Sequence, residues 1–152
     1  MNIIEEKKAY AKAVIASQRQ ELARLAKQEK QYSTAKGIEK WIGNEFESSS
    51  GLTPEFAEFA KDYKRELKKM LGNEIELISF NRGHFYFSYF MKNKNTGKYA
   101  YVMTSDVRHN RGDAWYNGFM VRTAQHDKDY TGGSNDWTSW AELKEKVLKM
   151  TQ

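Results

Sequence analysis

The chain has no cysteine and a single proline, Pro54. Without a thiol there is no disulfide framework, no thiolate zinc site and no cysteine nucleophile, a composition that suits a reducing compartment. No stretch approaches the roughly 18 consecutive apolar residues of a membrane span. The opening residues, Met-Asn-Ile-Ile-Glu-Glu-Lys-Lys, lack the charged-then-apolar order of a secretory signal. The expectation is therefore a cytoplasmic protein that makes no use of a membrane. Charge of one sign is also in short supply: the net charge is +5 and the isoelectric point about 9.2. That modest excess favours an anionic partner, either nucleic acid or an acidic protein face.

What is present fits one domain by length, 152 residues, with 1–71 as a helical half and 72–152 as a sheet followed by a helix. Only 39% of residues are hydrophobic and 30% are charged, so the 14% that are aromatic must fill the core. Residues 3–31 contain no glycine or proline and are rich in Ala, Glu, Lys, Gln, Arg and Leu, which lose least on entering a helix. Ile4, Ala11, Ile15, Leu22 and Leu25 recur at spacings of seven, four, seven and three, a stripe wide enough for one neighbour. That neighbour is either the helix's own domain or a partner, including a second copy in a homodimer. Ser33-Thr34 can cap a second helix carrying Ile38, Trp41, Ile42 and Phe46, and the polar run 47–51 then reads as a linker. Thr53-Pro54 opens a third helix and Gly72 closes it, with Phe56, Phe59, Ala60, Tyr63, Leu67, Met70 and Leu71 at three-and-four spacing. Its lysines and arginine alternate with acids and read as a solvated face.

Past Gly72 the period changes to two. Strands are expected over 74–80, 84–92, 98–104 and 117–123, with tight turns at 81–83 and 93–97. In the second, Phe85, Phe87, Tyr89 and Met91 form an apolar face, while His84, Tyr86, Ser88 and Phe90 form a half-exposed one. Ser139-Trp-Ala-Glu142 is a capping box opening a last helix through Trp140, Leu143, Val147, Leu148 and Met150. The expected fold is α+β: N-terminal helices packed with a C-terminal antiparallel sheet of about four strands and a closing helix.

Residues 80–133 hold all three histidines, four arginines and the only Gly-Gly pair. The loops 105–115 and 124–136 are longer and more charged than strand connections require, and Trp115, Tyr116, Tyr130 and Trp137 can anchor them. Three chemistries are open. Asp106, His109, Asp113, His126, Asp127 and Asp129 are metal-ligand types, but their spacing matches no metal pattern and Arg108, Arg111 and Lys128 would repel a cation. No metal or cofactor is expected. Metal-independent ribonuclease action would use His84 and His126 as proton acceptor and donor, with Arg122 holding the phosphate. Binding alone would use Arg82, Arg108, His109, Arg111, Trp115, Arg122, Lys128 and Tyr130, with Tyr86, Tyr89, Tyr99 and Tyr101 interleaved. Such a surface can stack bases and grip phosphates or anchor a protein contact.

The succession Arg82-Gly-His84, Ser105-Asp-Val-Arg-His109 and the run 121–133 resembles a pattern in short accessory proteins of phages and plasmids, including anti-CRISPR inhibitors of host defence. The resemblance implies a non-enzymatic inhibitor in the cytoplasm of a bacterial host, binding a host protein or protein–nucleic acid complex, with RNA or DNA as direct ligands also open. It carries over no catalytic residue.

Overall fold

The computed structural model describes residues 2–34, 54–83, 86–104 and 118–152. Helix α1 (Ile3–Thr34) begins at a reciprocal cap. Asn2 Oδ1 accepts the N–H groups of Ile4 and Glu5 at 3.1 and 2.9 Å, and Glu5 Oε2 accepts Asn2 N–H at 3.1 Å. These bonds satisfy donors that a helix start leaves without partners. Every side chain from Asn2 to Lys27 is exposed, Leu22 at 66% and Ile15 at 50%. The described residues of the chain thus leave this stripe uncovered over that stretch. An ion pair of 3.8 Å between Lys27 and Glu142 links α1 to the rest of the chain.

Helix α2 (Pro54–Leu71) has proline at its first position and ends at Gly72, whose φ of +61° lets its N–H reach Lys68 O at 3.2 Å. One face buries Phe56, Phe59, Ala60, Tyr63, Leu67 and Leu71. On the other, Arg65 meets Asp62 at 2.8 Å and Lys69 meets Glu66 at 3.1 Å. The basic run is thus a solvated face interleaved with its own acids.

Strands β1 (Ile75–Arg82), β2 (Phe87–Asn93), β3 (Tyr99–Thr104), β4 (Phe119–Ala124) and β5 (Asp136–Thr138) pair antiparallel in sequence order. Helix α3 (Leu143–Met150) closes the chain. This is the expected α+β arrangement with one strand more. Asp-Trp-Thr is too short to show a period, and only its register, Phe119 opposite Thr138, makes it a strand.

The first turn also sits later than expected. Asn81 and Arg82 remain in the ladder opposite Ser88 and Phe87, and Gly83 N–H donates to Tyr86 O at 2.8 Å. Cross-strand pairing overrides the turn propensity of Asn-Arg-Gly, while a register shift between Leu77 and Ser79 keeps Phe80 opposite Tyr89. The second turn forms where expected. Asn93 Oδ1 accepts Asn95 N–H at 2.9 Å, and Gly97 takes a φ of +74°. Asn93 Nδ2 donates to Thr151 Oγ1 at 3.1 Å and Thr96 Oγ1 to Thr151 O at 2.6 Å, tying this hairpin to the end of α3. Ser139 Oγ accepts Glu142 N–H at 3.2 Å, with the helix proper starting at Leu143. The helix expected after Ser33-Thr34 and the 47–51 linker lie outside the described residues.

Aromatic rings fill the core between α2, α3 and one sheet face. Phe56 stacks on Phe87 at 5.3 Å, and Tyr63 meets Trp140 edge-on at 5.2 Å. The Tyr63 and Tyr89 hydroxyls share a hydrogen bond of 2.8 Å inside it. Burial raises both phenol pKa values above the ordinary tyrosine range. Among the described residues no helix is long and apolar enough to cross a membrane.

Candidate interaction surface

Alternation along the strands turns Phe90, Tyr101 and Met120 away from the helices, onto the outer face. With Ile78, Met103 and Ala124 they form a second, smaller cluster. The face expected to be half exposed is therefore closed at its centre. The lid is Tyr130, whose ring meets Phe90 and Tyr101 edge-on at 5.1 and 5.7 Å while remaining 53% exposed.

The loop carrying Tyr130 is built around Asp129. Its carboxylate accepts the N–H groups of Gln125 at 2.9 Å, Gly132 at 3.0 Å and Thr131 at 3.2 Å. These bonds, Gln125 first, hold its pKa below the usual carboxylate range. The Gly-Gly pair has a steric explanation here. A Cβ on Gly132 would lie 2.5 Å from Asp129 Oδ2, and one on Gly133, at φ +74°, would lie 2.8 Å from Thr123 O. Asp129 is thus a staple for the loop. Among the described residues, no group of three or more histidine or acidic side chains could hold a metal ion.

Arg122 lies on the same face, its guanidinium 4.6 Å over the Tyr101 ring and Nη2 3.4 Å from Asp129 O. Its Nε is buried with no hydrogen-bond partner among the described residues. This arginine is partly spent on holding the loop down. Lys128, in the loop that follows, is exposed, and its N–H donates to His126 Nδ1 at 3.2 Å, which occupies one of the two imidazole nitrogens. Lys92 Nζ sits 5.5 Å over the Tyr99 ring. Trp137, opposite Met120, puts a 55% exposed indole on this face. Its neighbour Asp136 pairs with Lys146 of α3, and that lysine, with the Trp137 N–H, keeps the Asp136 pKa low.

The structure brings Arg122 and Tyr130 together at the Tyr101 ring, leaves Lys128 exposed in the loop between them in sequence, and separates Arg82 from these. Arg82 is opposite Phe87 on the helical face, with its guanidinium 5.9 Å from the Phe56 ring. Tyr89 is in the core against Tyr63 and cannot stack on a ligand. His84, Arg108, His109, Arg111 and Trp115 lie outside the described residues. Trp137, expected to anchor its loop, is exposed instead, and Lys92 joins the face without a sequence signal that marks it. The tryptophan sits in a strand too short to be recognised, so no alternation assigned it a face. On the helical side, a cleft of about 580 Å³ between Met70, Lys144 and Leu148 is flanked by the Lys144–Glu74 ion pair at 3.1 Å. Comparison with protein-family models, curated proteins and solved structures gives no match to this chain.

Proposed function

We propose that the protein is a non-enzymatic binder, an inhibitor from a phage or mobile element that blocks a nucleic-acid-handling complex in the cytoplasm of its bacterial host. The observation that supports this best is the outer sheet face, which carries the exposed rings of Tyr130 and Trp137 together with Lys92 and Arg122, and whose loop adds the exposed Lys128. Rings of this kind stack on bases or fill protein pockets, and cations beside them meet phosphates or carboxylates. The loop behind Tyr130 is held by its own Asp129 network, so the ring is presented with little freedom to lose on binding.

Capture from a bacterial lysate, with and without nuclease treatment, tests the reading. Capture that falls in the Tyr130→Ala, Trp137→Ala double variant supports it, as does its loss in Arg108→Ala with Arg111→Ala. Lys64→Ala with Lys68→Ala should change little, and the reverse ranking would move the contact to α2. Incubation with labelled RNA in EDTA addresses the enzyme reading. Cleavage abolished by His84→Ala or His126→Ala would replace the binder by a metal-independent ribonuclease.

A further inference from the structure

Helix α1 is about 48 Å long at 1.5 Å per residue, and its apolar residues face solvent. Ile4, Ile15, Leu22 and Leu25 are 62, 50, 66 and 45% exposed. At 3.6 residues per turn, Ile4, Ile15 and Leu22 fall within about 20° of one another around the axis, and Lys8, Lys12 and Arg19 fill one flank within about 40°. Residues 7–20 contain Lys7, Lys8, Lys12 and Arg19 and no acid. None of these four cations has an ion-pair partner among the described residues. By contrast, Arg24 is paired with Glu21 at 2.6 Å and Lys27 with Glu142 at 3.8 Å.

We propose that α1 is a recognition helix for an acidic protein. Its aliphatic stripe enters an apolar groove whose rim presents carboxylates to Lys8, Lys12 and Arg19. This contact goes beyond the outer sheet face and uses none of its residues. Charge decides against a second copy as the occupant. With Ile15 and Leu22 on a heptad seam, Lys8 takes the preceding seam position, so a parallel pair sets Lys8 against its own copy. An antiparallel pair sets the four cations of 7–20 against a second half that is itself net positive, with Arg24, Lys27 and Lys30 against Glu21 and Glu29. Nucleic acid would satisfy the cations but leave the aliphatic stripe in water. An anionic membrane would meet the carboxylates of Glu5, Glu6, Glu21 and Glu29 and a stripe without Trp or Phe. An acidic groove uses the stripe and its flank together, the helix-in-groove mode of recognition. The reciprocal Asn2–Glu5 cap holds the first turn before contact, which limits the ordering cost there.

The probe is a synthetic, fluorescently labelled helical peptide with leucine along its seam and glutamate on both flanks, titrated with the full chain. Saturable binding is expected, weakened at least about tenfold by Ile15→Ser with Leu22→Ser. A comparable loss is expected from Lys8→Glu, Lys12→Glu and Arg19→Glu together, and added salt should weaken wild type more than that charge variant. All these positions are exposed, and circular dichroism verifies that each variant keeps its helix. Failure of the wild type to bind the peptide overturns the proposal. So does tighter binding to oligouridylate or to phosphatidylcholine–phosphatidylserine vesicles that survives the serine variant. Sedimentation showing a dimer that the serine variant dissociates would assign the stripe to a second copy instead.

Discussion

Helices α1 and α2 draw on nearly the same alphabet of Ala, Glu, Lys, Arg and Leu, yet one is exposed from Ile3 to Lys27 and the other forms the floor of the core. The difference lies in the width of the apolar stripe and the size of its side chains. In α2, three aromatic residues and two leucines cover a broad face that the sheet can bury. In α1, single aliphatic residues recur once every one or two turns, too thin to fill a groove against a sheet of aromatic rings. Apart from the Lys27–Glu142 ion pair, the contacts of α1 are local, its cap and the Glu21–Arg24 pair among them, whereas α2 is held by packing. Helicity and burial are separate outcomes.

Leu67→Ala and Leu22→Ala put that contrast to the test with one chemical change. Leu67 is fully buried, and its truncation should cost about 2–5 kcal/mol in denaturant unfolding. Next in size is Tyr63→Phe, which removes the hydrogen bond to the buried Tyr89 hydroxyl and should cost about 1–3 kcal/mol. A phenol titrating in the ordinary tyrosine range at position 89 would contradict its burial. Asn2→Ala should destabilise the start of α1 by about 0.5–2 kcal/mol, seen as faster amide exchange over the first turns with the unfolding midpoint unchanged.

The 125–133 loop provides a third case, an irregular segment sustained by local bonds as α1 is. Its carboxylate has a depressed pKa, so the stabilisation is complete above the ordinary aspartate pKa and is lost as pH falls through the lowered value. Tyr130 ring resonances should therefore shift on acidification below the ordinary aspartate range, and Asp129→Asn should remove that dependence. The smallest effect is reserved for Leu22→Ala, within about 0.5 kcal/mol of wild type. A loss like that of Leu67→Ala would mean that α1 is packed after all.

Sequence patterns within about ten residues were legible. The limits of α2, the change of period after Gly72, the Asn93 turn and the inward rows of β2 and α2 all follow from capping, turn chemistry and alternation. Of the candidate site, the outward placement of Arg122 and the neighbourhood of Lys128 and Tyr130 were within reach, because both belong to one strand and the loop after it. The end of β1 was not, since the choice between a turn and two more ladder pairs depends on the strand opposite.

By itself, then, the sequence determined that there would be helices, then a meander, then a helix, because propensity and periodicity act between near neighbours. Tertiary structure decided which residues each surface would gather. It brought Asp-Trp-Thr to the sheet edge as β5 with its indole outward, gave the inward Tyr89 hydroxyl its partner in Tyr63, lodged Arg122 between Tyr101 and the Asp129 loop, and left the stripe of α1 exposed from Ile4 to Leu25. Each of these depends on which distant residues arrive at the same place, and no local pattern encodes that.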